Sequence, residues 1–229
     1  MKIGGLQKVS LIDYPACISA VVFTIGCNFR CPYCHNPELV KESLYPSALP
    51  EADIFDFLKR RQGKLEAVSV TGGEPCLQPD LPEFAVALKK MGYRVKIDTN
   101  GSRPEVLERL LAENAVDYIA MDIKAPLSRY ESVAGVPIRG KDIRRSVERI
   151  MSCGIRYEFR TTVAPGLLEA RDFADIGKEI CHAQRYVLQG FVASKTLDKA
   201  YLKKKSPPRE ELEAIRDVVK RYVQTVVIR

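Results

Sequence analysis

Short apolar runs rich in β-branched residues alternate along the chain with stretches in which apolar residues recur every three or four positions. The first kind lies at 18–25, 67–71, 93–98, 118–122, 155–161 and 186–191 and predicts six strands. The second lies at 52–61, 81–91, 104–113, 142–152, 170–183 and 209–223 and predicts six helices. Strict alternation of the two predicts an α/β fold, and strands that are almost wholly apolar suit a parallel sheet covered by helices. At 229 residues the chain is shorter than the ~250 typical of a complete eight-unit barrel, so the expected architecture is a partial (β/α)6 TIM-type barrel with parallel strands. The run 225–228 is a candidate seventh strand. No linker rich in Gly, Pro or Ser divides the sequence, and Ser206-Pro207-Pro208 only introduces the last helix, so 1–229 is expected to be one domain.

Composition narrows the function classes. The longest apolar run, 18–25, is far short of the ~20 residues that a membrane-spanning helix needs, and the N-terminus lacks the layout of a signal peptide, which points to a cytoplasmic protein. Seven cysteines, three of them within eight residues, suit thiolate ligation in a reducing compartment better than a disulfide framework. The formal charge of +7 is spread along the chain, and its one cluster, Lys203-Lys204-Lys205, reads as a solvated loop, so nucleic acid is not the expected partner. Cys17, Cys76, Cys153 and Cys181 are isolated and read as small apolar residues, with Cys76 the one to watch, and His182 reads as structural or exposed.

The chemistry begins after the first predicted strand, where Cys27, Cys31 and Cys34 form a C-x3-C-x2-C loop. Iron–sulfur cubanes are normally held by four cysteines, so a compact set of three leaves one iron open to another ligand. The competing reading is a zinc site built from the same cysteines and His35. The adjacency of Cys34 and His35 and the absence of a second C-x2-C pair weigh against it.

In an α/β barrel the reactive side chains gather at the C-terminal ends of strands. The second predicted strand ends in Gly72-Gly73-Glu74-Pro75, where paired glycines permit close backbone approach. The third ends in Asp98-Thr99-Asn100-Gly101, which offers Asp98 and Asn100 to a zwitterion, a ribose or a cation, or else merely caps the next helix. The fourth ends in Asp122-Ile123-Lys124, where alternation places the acid and the base on one face, as ligand groups or as a plain ion pair. Arg160 on the fifth suits a carboxylate, unless it points into the helical layer, and Gln189 on the sixth is a weaker candidate.

The cysteine spacing, with Tyr33 directly before the third cysteine, resembles the signature of the radical S-adenosylmethionine superfamily. That resemblance implies a [4Fe–4S] cluster on Cys27, Cys31 and Cys34. Its open iron would chelate the methionine moiety of S-adenosyl-L-methionine, and one electron would release a 5′-deoxyadenosyl radical. It also implies that Gly72, Gly73 and Glu74 bind the methionine amino group and that Tyr33 lies at the cofactor. The stretch 11–39 is similar to anaerobic ribonucleoside-triphosphate reductase activating proteins, and Asp98 to Gly101 together with the Asp122 to Gly135 segment resemble pyruvate formate-lyase activating enzymes. The implied activity is therefore that of a glycyl-radical-enzyme activase. Its partners would be a glycyl-radical enzyme as protein substrate and a low-potential electron donor such as flavodoxin or ferredoxin. Two other readings are a radical enzyme acting on a small molecule or RNA, and a zinc-stabilised nucleic-acid-binding module.

Overall fold

The computed structural model describes residues 1–229 and contains eight strands in one sheet, ordered as in the chain. They are β1 (Ile3–Ser10), β2 (Ser19–Thr24), β3 (Ala67–Gly72), β4 (Arg94–Thr99), β5 (Tyr118–Asp122), β6 (Arg156–Val163), β7 (Tyr186–Gly190) and β8 (Val226–Ile228). The helices are α1 (Pro37–Val40), α2 (Glu51–Arg60), α3 (Leu81–Lys90), α4 (Pro104–Ala112), α5 (Tyr130–Ala134), α6 (Gly140–Met151), α7 (Ala170–Glu179) and α8 (Arg209–Val219). β1 runs antiparallel to β2, whereas β2 with β3, β3 with β4, β6 with β7 and β7 with β8 are parallel. The sheet is mostly parallel and is not closed. All six expected strands and all six expected helices are present, and the run 225–228 supplies β8.

Three elements were not expected. β1 contains Gly4 and Gly5, and glycine is depleted in strands. The reason for Gly4 lies in packing: a Cβ there would sit 2.6 Å from Leu39 Cδ2 and 2.8 Å from Ile25 Cγ1. Helices α1 and α5 have four and five residues, too few for a helical period to register.

The chain divides into two compact units. The first comprises Met1–Asn28, Glu38–Thr99 and Arg103–Ile119. Its strands bury Val22, Val70, Val95 and Ile97 completely, and α2 and α3 close over them through Ile54, Leu58, Phe84 and Leu88. The Phe55 and Phe84 rings meet at 5.1 Å between these two helices. The second unit comprises Phe29–Pro37, Asn100–Ser102 and Ala120–Arg229, so the cysteine loop enters it after Asn28. Its core is built from Phe159, Val187 and Leu188 on the strands and from Ile143, Ile150, Phe173, Ile176, Ile215 and Val219 on α6, α7 and α8. At Gly177 a Cβ would stand 2.5 Å from the Tyr222 ring, so a glycine there lets the chain after α8 lie directly on α7.

Candidate active site

In the first unit the glycine pair is packed against the chain that leads into Cys27. Gly73 N donates to Thr24 O at 2.9 Å and Glu74 N donates to Gly26 O at 2.8 Å. A Cβ on Gly73 would lie 2.0 Å from Gly26 O, and one on Gly72, whose φ is +113°, would lie 2.4 Å from Thr24 N. Both glycines are therefore required by the fold of the loop itself, before any ligand is considered. The Glu74 carboxylate is buried, and its Oε1 accepts from Cys76 N at 3.0 Å and from Thr99 Oγ1 at 2.7 Å. That pair of bonds ties the end of β3 to the end of β4. Burial foremost, with Glu74 beside it, pushes the Cys76 thiol well above its usual range, so it behaves as a buried apolar side chain. Asp98 is ion-paired with Lys96, a nearly buried lysine two positions earlier on the same face of β4.

In the second unit the strand ends of β5 and β6 carry a compact charge cluster. Arg160 Nε donates to Asp122 Oδ1 at 2.8 Å, and Lys124 Nζ donates to Asp122 Oδ2 at 2.9 Å. Arg160 thus turns toward Asp122 and not into the helical layer. Burial opposes the charge of Asp122, but Arg160 and Lys124 together outweigh it and hold the carboxyl well below the usual carboxylate range. Burial likewise opposes the charge of Lys124, and Asp122, then Tyr33 and Cys31, restore it and raise the ammonium well above the ordinary lysine value. Tyr130 braces this cluster from α5. Its hydroxyl donates to Asp122 O at 3.3 Å and accepts from Lys124 N at 3.4 Å.

The same unit holds the second part of the cysteine loop. Arg30 N donates to Ala134 O at 2.7 Å, and the Phe29 and Tyr130 rings meet edge to face at 6.1 Å, so α5 clamps the loop. Gly135 ends α5 in the left-handed region with φ +71°, and a Cβ there would come within 2.6 Å of Arg30 O. Cys31 is buried; burial pushes its thiol up, and Lys124 works against that push. Lys124 is a fixed cation of the kind that favours the thiolate needed for metal ligation. The Tyr33 hydroxyl is buried without a hydrogen-bond partner. His35 stacks on Phe191 at 5.8 Å and hydrogen-bonds the Val192 main chain; burial lowers its pKa. Asn100 closes a turn by accepting from Ser102 N through its side-chain oxygen at 3.0 Å, while the N-cap of α4 is Arg103, which makes no side-chain cap bond.

Each expected site residue can now be placed. Asp122, Lys124 and Arg160 meet directly, Cys31 and Tyr33 lie within electrostatic reach of Lys124, and Glu74 contacts the end of β4 through Thr99. None of the three cysteines of the loop is in a disulfide. No three His, Cys, Asp or Glu side chains are gathered about a single ion-sized point, and a cubane instead takes one thiolate at each of three irons. The donor set fits such a cluster: three cysteines outside any disulfide, a buried cation beside one of them and a buried Tyr33 hydroxyl. Sequence reading missed Lys96, Thr99 and Tyr130. Only Lys96 carries a sequence signal, a lysine set between Val95 and Ile97 in a predicted strand.

The comparisons with known proteins complete the picture. Residues 21–177, more than half of the chain, match the model of the Radical SAM superfamily. The chain belongs to this family. Its sequence is 34% identical to a Methanocaldococcus jannaschii protein provisionally named a glycyl-radical enzyme activating enzyme, over 99% of this chain and 95% of that one. It is 31% identical to the pyruvate formate-lyase-activating enzyme of Clostridium pasteurianum, over 82% of this chain and 80% of the relative. The crystal structure of Streptococcus suis SuiB bound to precursor peptide SuiA superimposes with a TM-score of 0.70 at 13% identity, a likeness of fold alone. That match takes in 91% of this chain and about half, 48%, of SuiB. The protein is thus an enzyme of the radical SAM kind, and its family implies S-adenosylmethionine and an iron–sulfur cluster.

Proposed function

We propose that this enzyme cleaves S-adenosyl-L-methionine reductively at a [4Fe–4S] cluster held by Cys27, Cys31 and Cys34, and that it thereby installs a glycyl radical in a partner enzyme. The observation that carries the activase reading is the full-length likeness to the Methanocaldococcus jannaschii protein, supported by the Clostridium pasteurianum relative. When bound, the cluster supplies one low-potential electron, and the cleaved cosubstrate supplies the carbon radical that removes a hydrogen atom from glycine.

The chain's own residues prepare that chemistry. Lys124, held cationic by Asp122, would pair with the cosubstrate carboxylate, while Asp122, itself fixed by Arg160, orients Lys124 and would offer its remaining lone pairs to hydroxyl groups. Tyr33 offers a buried hydroxyl that has no hydrogen-bond partner. Gly72, Gly73 and Glu74 keep the loop before Cys27 in register and present main-chain oxygens to the amino group. Asp98, ion-paired with Lys96, and Asn100 are the further polar candidates. The whole of 1–229 acts as one catalytic domain. The structure has no helix long and apolar enough to cross a membrane.

Anaerobic reconstitution tests the reading. The expected results are an iron–sulfur chromophore, formation of 5′-deoxyadenosine with dithionite, and a glycyl radical signal by electron paramagnetic resonance in a glycyl-radical enzyme used as substrate. Cleavage accompanied by label transfer into a small molecule, with no protein radical, would replace the activase assignment with small-molecule chemistry.

A further inference from the structure

The connection from β7 to α8, residues 191–208, is long for a loop in a compact fold and carries only a short 3-10 turn at Lys199–Lys203. It is laid along the cysteine loop. Phe191 stacks on His35, the Val192 main chain bonds the His35 ring, and Asp198 N donates to Pro32 O at 2.9 Å. Pro32 lies between Cys31 and Cys34, so the loop touches the segment that carries two of the proposed cluster ligands. Lys204 pins the far end: its Nζ donates to Pro165 O at 2.8 Å and sits 4.0 Å above the Tyr201 ring.

The charge of this loop is one-sided. Within 191–208 there are five lysines and a single acid, Asp198, whose carboxylate caps the short helical turn by accepting from Ala200 N at 2.9 Å. Lys199, Lys203 and Lys205 are exposed and form no salt bridge. The same loop exposes two apolar side chains, Val192 at 56% and Leu202 at 44%. The expectation that Lys203 to Lys205 form an ordinary solvated loop therefore holds only in part, since Lys204 is tied down. A basic loop that also exposes apolar side chains suits a short-lived docking surface, where charge governs encounter and little area is buried.

We propose that this loop is the docking surface for an acidic, low-potential one-electron carrier of the ferredoxin or flavodoxin class, which delivers its electron to the cluster through the Asp198–Pro32 contact. In that step the reduced carrier loses one electron and the cluster gains one, with no bond formed or broken. The proposal rests on the cluster assignment made under Proposed function. Its argument is charge complementarity joined to contact with the cysteine loop.

The test is stopped-flow bleaching of the reconstituted cluster by a reduced acidic ferredoxin, without cosubstrate, across a range of salt. Wild-type protein should be reduced at a rate that falls steeply with ionic strength. The variant carrying Lys199→Glu, Lys203→Glu and Lys205→Glu should be reduced about tenfold or more slowly at low salt and should converge on wild type at high salt. A control with the same change of net charge elsewhere, Lys59→Glu, Lys64→Glu and Lys90→Glu, should stay within about twofold of wild type. Dithionite should reduce all three proteins alike. If ferredoxin reduces the loop variant as fast as wild type, or does not reduce wild type at all, the proposal is overturned. A variant with normal ferredoxin kinetics that no longer forms a radical in the protein substrate would assign the loop to that substrate, which also overturns it. If instead the wild-type cluster is reduced by dithionite but never cleaves S-adenosylmethionine, it is the functional reading that fails, whatever the docking kinetics.

Discussion

Replacing Gly73 by alanine adds one methyl group, and the structure says where it goes. The new Cβ would stand 2.0 Å from Gly26 O, 2.6 Å from Gly26 C and 3.1 Å from Leu39 O, all of them main-chain atoms. Main chain cannot rotate aside as a long side chain can. To bring the first contact from 2.0 Å to the 3.0 Å below which real Cβ contacts are essentially never seen, the loop must retreat by at least the difference, 1.0 Å. That movement stretches the Glu74 N to Gly26 O bond of 2.8 Å and the Gly26 N to Leu39 O bond of 2.8 Å. Overpacking costs about 1–3 kcal/mol and each lost buried bond about 1 kcal/mol, so the expected destabilisation is ~3–5 kcal/mol. For a chain of this size that corresponds to a fall in Tm of about 6–20 °C. The assay is thermal unfolding of the anaerobic apoprotein by circular dichroism, followed by iron analysis after reconstitution, because the displaced segment leads into Cys27. Gly5→Ala is the control, since its Cβ meets only Phe23 carbons at 3.7 and 3.8 Å, and it should melt within about 2 °C of wild type. A Gly73→Ala protein that also melts within about 2 °C would refute the claim that this glycine is demanded by main-chain packing.

The fold was readable in the sequence wherever elements are long and one-sided. β3 and β5 announce themselves because a strand buried between layers is mostly apolar, and α6 because its buried Ile143, Val147 and Ile150 recur at helical spacing among charged residues. β1 was not readable. Its glycines answer to Leu39 and Ile25 across the fold, which is information that no local window contains. α5 escaped for the opposite reason: it is a single turn whose role as a clamp on Arg30 depends entirely on tertiary contact.

The candidate site divides along the same line. Residues whose meaning lies in spacing, such as Cys27, Cys31 and Cys34, or in strand alternation, such as Asp122 and Lys124, stand out from sequence alone. That Arg160 completes the cluster could only be proposed, because strand alternation does not say which neighbouring strand end faces it. Glu74 is the instructive case. Its place in Gly-Gly-Glu suggests a ligand, whereas its buried Oε1 is taken up by Cys76 N and Thr99. The glutamate therefore acts on any ligand at least partly through the shape of the turn that it holds. Two buried polar groups of opposite kinds at strand ends look alike in a sequence whether they bind a ligand or each other.

Four further outcomes are expected. Cys27→Ala, Cys31→Ala and Cys34→Ala should each abolish 5′-deoxyadenosine formation while the apoprotein still unfolds cooperatively; full activity in any one would remove that residue from the cluster. Glu74→Gln weakens the acceptor for Thr99 Oγ1 and Cys76 N, so it should lower stability by about 1–2 kcal/mol in urea unfolding, and an unchanged midpoint would mean that these bonds contribute nothing. Tyr130→Phe removes two long bonds at 3.3 and 3.4 Å but keeps the ring on Phe29, so a loss above about 1.5 kcal/mol in the same assay would show that the hydroxyl matters more than its geometry implies. Asp122→Asn leaves Arg160 and Lys124 as two cations without their shared anion, which should cost about 2–4 kcal/mol near neutral pH. Because the folded state holds the Asp122 carboxyl below its unfolded value of about 3.9, its contribution is fully present above that pH and is lost as pH falls toward the folded value. Wild type and Asp122→Asn should accordingly differ most above about pH 5, and the gap should narrow progressively as pH falls below the unfolded value of about 3.9, as read by urea midpoints. A gap that stays constant or widens on acidification would place the stabilisation somewhere other than the ionised carboxylate.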